Sequence, residues 1–173
     1  IYKCSLFFSF VFFINLNFSA QEKLKDGHQK FYYSNGQVSS EGTIKNGFPE
    51  GYWISYYPNG IIKSEGNRKN GILDSTWIFY SELGNLQSKI NYKSGKKNGL
   101  TSYYSDSCNV IKEEYLENDI KQNFTTIYYD VKGKKKKEEI PFVDNVKQGK
   151  GYEYAKEDSR IISIIIYKKG TLM

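Results

Sequence analysis

His28 is the sole histidine of the 173-residue chain, and Cys4 and Cys108 are its two cysteines. A Ser-His-Asp or Cys-His relay therefore has one place to be built, and repeat spacing sets no cysteine or acid beside His28. His28 reads as an exposed polar residue opening the first structural unit. A zinc site of the usual Cys/His type needs more ligands than this inventory supplies. No catalytic residue, metal or cofactor is expected. Cys108 reads as filling a turn or a small core gap.

Glu41 and Glu65 lie 24 positions apart, and Lys89 takes the next such position. Neighbouring glutamates can act as an acid/base pair. The simpler reading is a solvated rim that alternates with Lys45, Lys69 and Lys93. The densest basic stretch is "KGKKKKEEI" from Lys132 to Ile140. There Lys134, Lys135, Lys136 and Lys137 could meet the phosphates of an anionic membrane surface, or form a charged turn balanced by Glu138 and Glu139. No GxxxxGK[ST] or GxGxxG phosphate loop is present.

The last residue type able to make contacts in series is tyrosine. Tyr32, Tyr56, Tyr80, Tyr104, Tyr128 and Tyr152 fall at one interval of 24. Rings pointing into a stack would be core. On an open face they would form a ladder of amphipathic rings suited to a protein, glycan or lipid partner.

The elements that must carry these residues follow from the same interval. "GHQKFYYSNGQVSSEGTIKNGFPE", "GYWISYYPNGIIKSEGNRKNGILD" and "STWIFYSELGNLQSKINYKSGKKN" align without a gap from Gly27, Gly51 and Ser75. Each holds an Asn-Gly or its remnant (Asn35-Gly36, Asn59-Gly60, Leu83-Gly84) and closes on Asn46-Gly47, Asn70-Gly71 or Ser94-Gly95. Asn-Gly tolerates the two positive φ angles of a type I′ turn, so each unit reads as strand, turn, strand, turn.

Alternation in the second strand supports this, with Val38, Ser40, Gly42 and Ile44 on one face and Ser39, Glu41, Thr43 and Lys45 on the other. A helix would lose about 1 kcal/mol at each interior glycine. No hairpin of this kind buries its own rings, so hairpins must stack side by side. The later units are degraded: Asn118-Asp119 keeps a turn position, Lys132-Gly133 and Lys169-Gly170 do so with an offset, and "DSCNV" (106–110) has no turn Gly.

The stretch GxWxxYYxNGxIxxExxxxNG from Gly51 to Gly71 resembles the MORN repeat (membrane occupation and recognition nexus) in its bacterial variant form. The resemblance covers about 27–170 and implies an elongated single-layer array of about six antiparallel β-hairpins, an all-β fold. It also implies binding rather than catalysis. Bacterial MORN-variant proteins are often labelled antitoxins of toxin–antitoxin pairs, and eukaryotic relatives are linked to membrane and protein scaffolding.

Residues 1–20, "IYKCSLFFSFVFFINLNFSA", hold Lys3 as the only charge and an apolar run to Phe18. They read as a secretory signal peptide cleaved after Ala20, followed by a linker at 21–26, the repeat domain at 27–170 and a tail at 171–173. The expected setting is periplasmic, cell-surface or secreted, and cytoplasmic if that segment is misread. Export argues against nucleic acid as a partner, despite a formal charge of +6. The expected role is an exported, non-enzymatic surface for a protein partner, with an antitoxin and a membrane-surface protein as alternatives. The two open sheet edges add a homodimer through an edge strand, and "IISIII" (161–166) in the last unit is an aggregation-prone strand if uncovered.

Overall fold

The computed structural model describes residues 24–173. The signal-peptide reading of 1–20 and the start of the expected linker lie outside them. The described residues form one open antiparallel sheet and no helix. Its strands are β1 (Gly27–Tyr32), β2 (Val38–Lys45), β3 (Phe48–Tyr56), β4 (Ile62–Lys69), β5 (Ile72–Tyr80), β6 (Leu86–Lys93) and β7 (Lys96–Tyr104). They continue as β8 (Val110–Glu117), β9 (Ile120–Tyr128), β10 (Lys136–Val143), β11 (Val146–Lys147), β12 (Gly149–Tyr154), β13 (Ile161–Lys168) and β14 (Thr171–Leu172). Strands pair in chain order, with β11 and β12 sharing the flank of β10. This is the expected array of six hairpins (β1–β2, β3–β4, β5–β6, β7–β8, β9–β10, β12–β13). Thr171–Leu172, assigned above to a tail, instead fold back as β14 against Tyr167 and Lys168.

Two classes of turn alternate along the two long edges. Asn46-Gly47, Asn70-Gly71, Ser94-Gly95, Asn118-Asp119, Asp144-Asn145 and Lys169-Gly170 all have both φ angles positive, as a type I′ turn requires. The turns at Asn35-Gly36 and Asn59-Gly60 are not of this type. There only the glycine has positive φ, and Tyr33 N–H bonds Gln37 O at 2.8 Å while Gly36 N–H bonds Tyr33 O at 3.0 Å. That is a longer loop closed by a left-handed bulge residue. Cys108 takes that bulge position in the fourth unit at φ 59° and is exposed, so it fills a turn.

The packed face is built from paired large and small residues. Trp53 lies on Gly42 and Trp77 on Gly66: a Cβ added to either glycine would sit 2.4 Å or 2.6 Å from the indole. The indole N–H groups bond Thr43 O at 3.3 Å and Asn67 O at 2.8 Å. Both carbonyls lie at register shifts of the sheet, where the regular ladder is interrupted. Ile44, Trp53 and Trp77 form the core, with Phe31, Leu73, Phe79 and Tyr92 packed on it. In the next two units the sizes reverse. Ile90 faces Thr101, and Glu114 faces Thr125, all four buried.

The even interval of 24 holds only to the fifth hairpin. Its loop joins Tyr129 N–H to Lys135 O, two residues longer than the loop joining Tyr57 to Ile61. Every later position moves by two, so the residue equivalent to Tyr128 is Tyr154 and not Tyr152. Tyr154 O–H accordingly reaches Glu139 as Tyr128 O–H reaches Glu113.

Candidate functional site

The tyrosine row stands on the face opposite the tryptophans, and strand alternation puts Glu41 and Glu65 on that same face. Tyr56 O–H donates to Glu41 at 2.6 Å, Tyr80 O–H to Glu65 at 2.6 Å and Tyr128 O–H to Glu113 at 2.7 Å, each across 15 residues. In the fourth unit Lys89 takes the glutamate's place, with its ammonium 6.0 Å from the Tyr104 ring. Tyr32, in the first unit, has no preceding hairpin among the described residues and is exposed. The rings of Tyr56, Tyr80 and Tyr104 are half-buried. They are therefore neither the core of the sheet nor a free ladder, but rungs that tie one hairpin to the next.

Electrostatics follow from these bonds. Tyr56, Lys30 and His28 together hold the Glu41 carboxyl down at about 2, with Lys30 Nζ 3.1 Å and His28 Nε2 3.3 Å away. Burial and then the bond to Glu41 push Tyr56 up to about 12. Tyr80 rises to about 12 through its bond to Glu65 and then burial. Glu41 and Glu65 are two strands apart, roughly 10 Å, and each is already spent on a phenol. They make no acid/base dyad.

The lysine run is largely spent as well. Lys134 pairs with Glu113 at 2.7 Å and Lys136 with Glu139 at 2.6 Å. Lys135 Nζ donates to Lys156 O and Glu157 O, both at 3.3 Å. Lys137 alone of the four is exposed without such a partner. The charge balance thus runs through Glu113 on β8 as well as Glu139, and the first of these was invisible as a neighbour in the sequence.

Three features escaped sequence reasoning. The first is a second set of tyrosines: Tyr33, Tyr57 and Tyr129 O–H bond the carbonyls of Tyr56, Tyr80 and Tyr154 at 2.6, 2.9 and 2.9 Å. The doubled Tyr32-Tyr33, Tyr56-Tyr57 and Tyr128-Tyr129 were the available signal. The second is an exposed apolar strip along the edge of type I′ turns, made by Phe48, Ile72, Ile120 and Val146. Phe48 pairs with Lys45, Ile72 with Lys69 and Ile120 with Glu117 across their turns, and Lys96 stands between Ile72 and Ile120 in the row. A methyl placed on Gly71 would meet Phe48 at 3.7 Å, and one on Gly95 would meet Ile72 at 2.6 Å. Phe48 and Ile72 therefore lean on the next unit's turn.

The third is a groove of about 250 Å³ on the packed face, lined by Ser40, Pro49, Trp53, Ser55, Ser64, Arg68 and Trp77. Ser55 and Ser64 share a hydrogen bond of 2.7 Å in its wall. Arg68 lies 5.3 Å from the Trp77 ring and donates through Nη1 to Gly71 O at 2.8 Å. Burial pushes its pKa down. Further along this face Glu114 is buried, accepting from Tyr103 O–H at 2.8 Å with Lys121 Nζ 2.9 Å from Oε2 as an ion pair. Burial alone would raise the Glu114 pKa, but Lys121, Tyr103 and Lys112 bring it below its usual value.

Residues 25–46, 49–70 and 73–94 each match the family model described as the MORN repeat variant. The three matches are consecutive and end where the Gly/Trp pairing of the packed face gives way to Ile90–Thr101. No curated protein matches the chain.

Proposed function

We propose that this chain is an exported, non-enzymatic binding module whose turn edge holds a partner protein. MORN repeats generally mediate protein or membrane binding. The observation that carries the protein reading is the strip of Phe48, Ile72, Ile120 and Val146. They are 57, 48, 39 and 44% exposed and aligned along one edge, interrupted by Lys96 and bordered by Lys45, Lys69 and Glu117. An apolar centre with a charged margin is how protein contacts are built, and the lysines favour a partner with acidic residues around its own apolar patch.

The membrane alternative rested on Lys134–Lys137, and three of those four ammonium groups are already satisfied within the fold. An antitoxin role is a special case of the protein reading, in which the partner is a toxin. Export rests on the character of residues 1–20. The proposal extends to a second copy of the chain at the open β13 edge.

A photo-reactive residue at Ile72 tests the main claim in cells that express the chain. One discrete protein adduct is expected, lost when Phe48→Asp is added and with thermal stability unchanged. A smear of adducts, none at all, or tight salt-sensitive binding to phosphatidylserine vesicles without an adduct would overturn it.

A further inference from the structure

We infer that the groove between Trp53 and Trp77 is a pocket for a carboxylate-bearing apolar side chain or dipeptide of the partner, with Arg68 as the residue that reads the acid. This deepens the protein-binding reading and rests on it. The groove reaches the same turn edge as the apolar strip but on the other face: Pro49 on its wall follows Phe48 and Arg68 precedes Lys69, so strand alternation turns them to opposite sides. A partner that grips this edge from both sides would reach the two together.

The pocket's chemistry is specific. Its side walls are two indoles and a proline ring, and Ser40, Ser55 and Ser64 add hydroxyls. Such a lining accepts an apolar group, and its volume suits one side chain and not a drug-sized ligand. At the rim stands a guanidinium that no carboxylate satisfies. Among the described residues Arg68 forms no ion pair, and one of its five N–H groups is used, on Gly71 O.

A half-buried cation without a counter-ion costs free energy, which stacking on Trp77 offsets only in part. The remaining N–H groups form a fork that matches a carboxylate. Several glutamates on the sheet have found phenols or lysines, as Glu41, Glu113 and Glu114 show. Arg68 has no such charged partner among the described residues, and it lines the groove that holds the chain's only two tryptophans.

That last fact supplies the assay, since all indole fluorescence comes from the pocket. The full chain is titrated with N-acetyl-Phe-Glu-amide, N-acetyl-Phe-Gln-amide and N-acetyl-Ala-Glu-amide while tryptophan emission is followed. The Phe-Glu peptide is expected to bind about tenfold more tightly than Phe-Gln, the difference a charge-assisted bond makes, and more tightly than Ala-Glu. In Arg68→Gln the preference for Glu over Gln should vanish, and Arg68→Lys should retain part of it.

The wild-type comparison of Phe-Glu with Phe-Gln needs no variant to fold. Equal affinity for the two, or emission unchanged by all three peptides to their solubility limit, overturns the inference. If that happens while the Ile72 cross-link still yields one adduct, the binding-module reading stands and only the acid-reading pocket falls. Loss of the adduct as well removes both.

Discussion

Gly66 lies directly beneath the Trp77 indole, and no side chain fits between them: a Cβ at Gly66 would stand 2.6 Å from the ring. The indole is also held by Arg68, 5.3 Å from the ring, and by its own N–H bond to Asn67 O. Gly66→Ala must therefore tilt a ring that has nowhere to go. It is expected to cost about 2 kcal/mol by overpacking.

The fourth unit shows the alternative solution, Ile90 facing Thr101. The double change Gly66→Ile/Trp77→Thr should be less damaging than the two single costs combined, by at least about 1 kcal/mol of coupling. Urea unfolding of the four chains measures this. Strict additivity would mean that the two residues do not share one packing site.

The tyrosine rungs predict how the array responds to base and acid. Tyr56, Tyr80, Tyr103 and Tyr154 are each pushed up to about 12, against an ordinary value near 10 in the unfolded chain. A folded pKa above the unfolded one gives stability that is complete below pH ~10 and lost as pH rises toward ~12. Glu41 runs the other way. Its carboxyl is held at about 2, so its contribution is present above pH ~4.5 and fades as pH falls toward ~2. Absorbance titration of tyrosinate should show a group of phenols ionising together with unfolding. In Tyr56→Phe the Glu41 carboxyl, followed by NMR, should titrate at higher pH than in the parent. An unmoved Glu41 would mean that Lys30 and His28 hold it alone.

The architecture was legible because one short period dictates it. Tyr56 and Tyr80, Gly60 and Gly84, and Asn46 and Asn70 recur at matched positions, and a period of 24 with two turns admits little besides stacked hairpins. What stayed hidden involves partners in other strands. Nothing in the string pairs Gly66 with Trp77, because their meeting depends on a register shift at the β4–β5 boundary. Arg68 has Ile44 and Tyr92 at its equivalent positions, so no repeat signal marks it, and its stacking on Trp77 depends on that same shift.

Tyr152 was matched by counting, and counting fails wherever a loop lengthens. The "KGKKKK" stretch is polar enough to take two extra residues without disturbing either strand. Cys108 and Ser75 show the opposite case. Both sit at positive φ, 59° and 60°, where sister units have glycine, so the backbone path survives the loss of the residue type that signals it. The resulting strain is local, about 1 kcal/mol per site.

The last expectation concerns the β13 edge. β14 covers Tyr167 and Lys168, and Met173 N–H bonds Ile166 O at 2.9 Å. With a period of two, the peptide groups of Ile162 and Ile164 face the same open side and have no strand beside them among the described residues. Ile161, Ile162 and Ile164 are 51, 58 and 59% exposed.

Because Ile166 is already engaged, the register that uses both free residues is antiparallel self-pairing centred on Ser163, with Ile162 of one copy opposite Ile164 of the other. That register also brings Asp158 of one copy toward Lys168 of the other, whereas a parallel pair would set like against like. Sedimentation velocity over a range of concentrations should show reversible association. Ile164→Lys should leave a monomer, since a charge on an edge strand opposes pairing. The substitution is at an exposed position, so the folded array itself should keep its thermal midpoint. A parent chain that sediments identically at every concentration would show that the lysines at 168 and 169 and the short β14 already protect this edge.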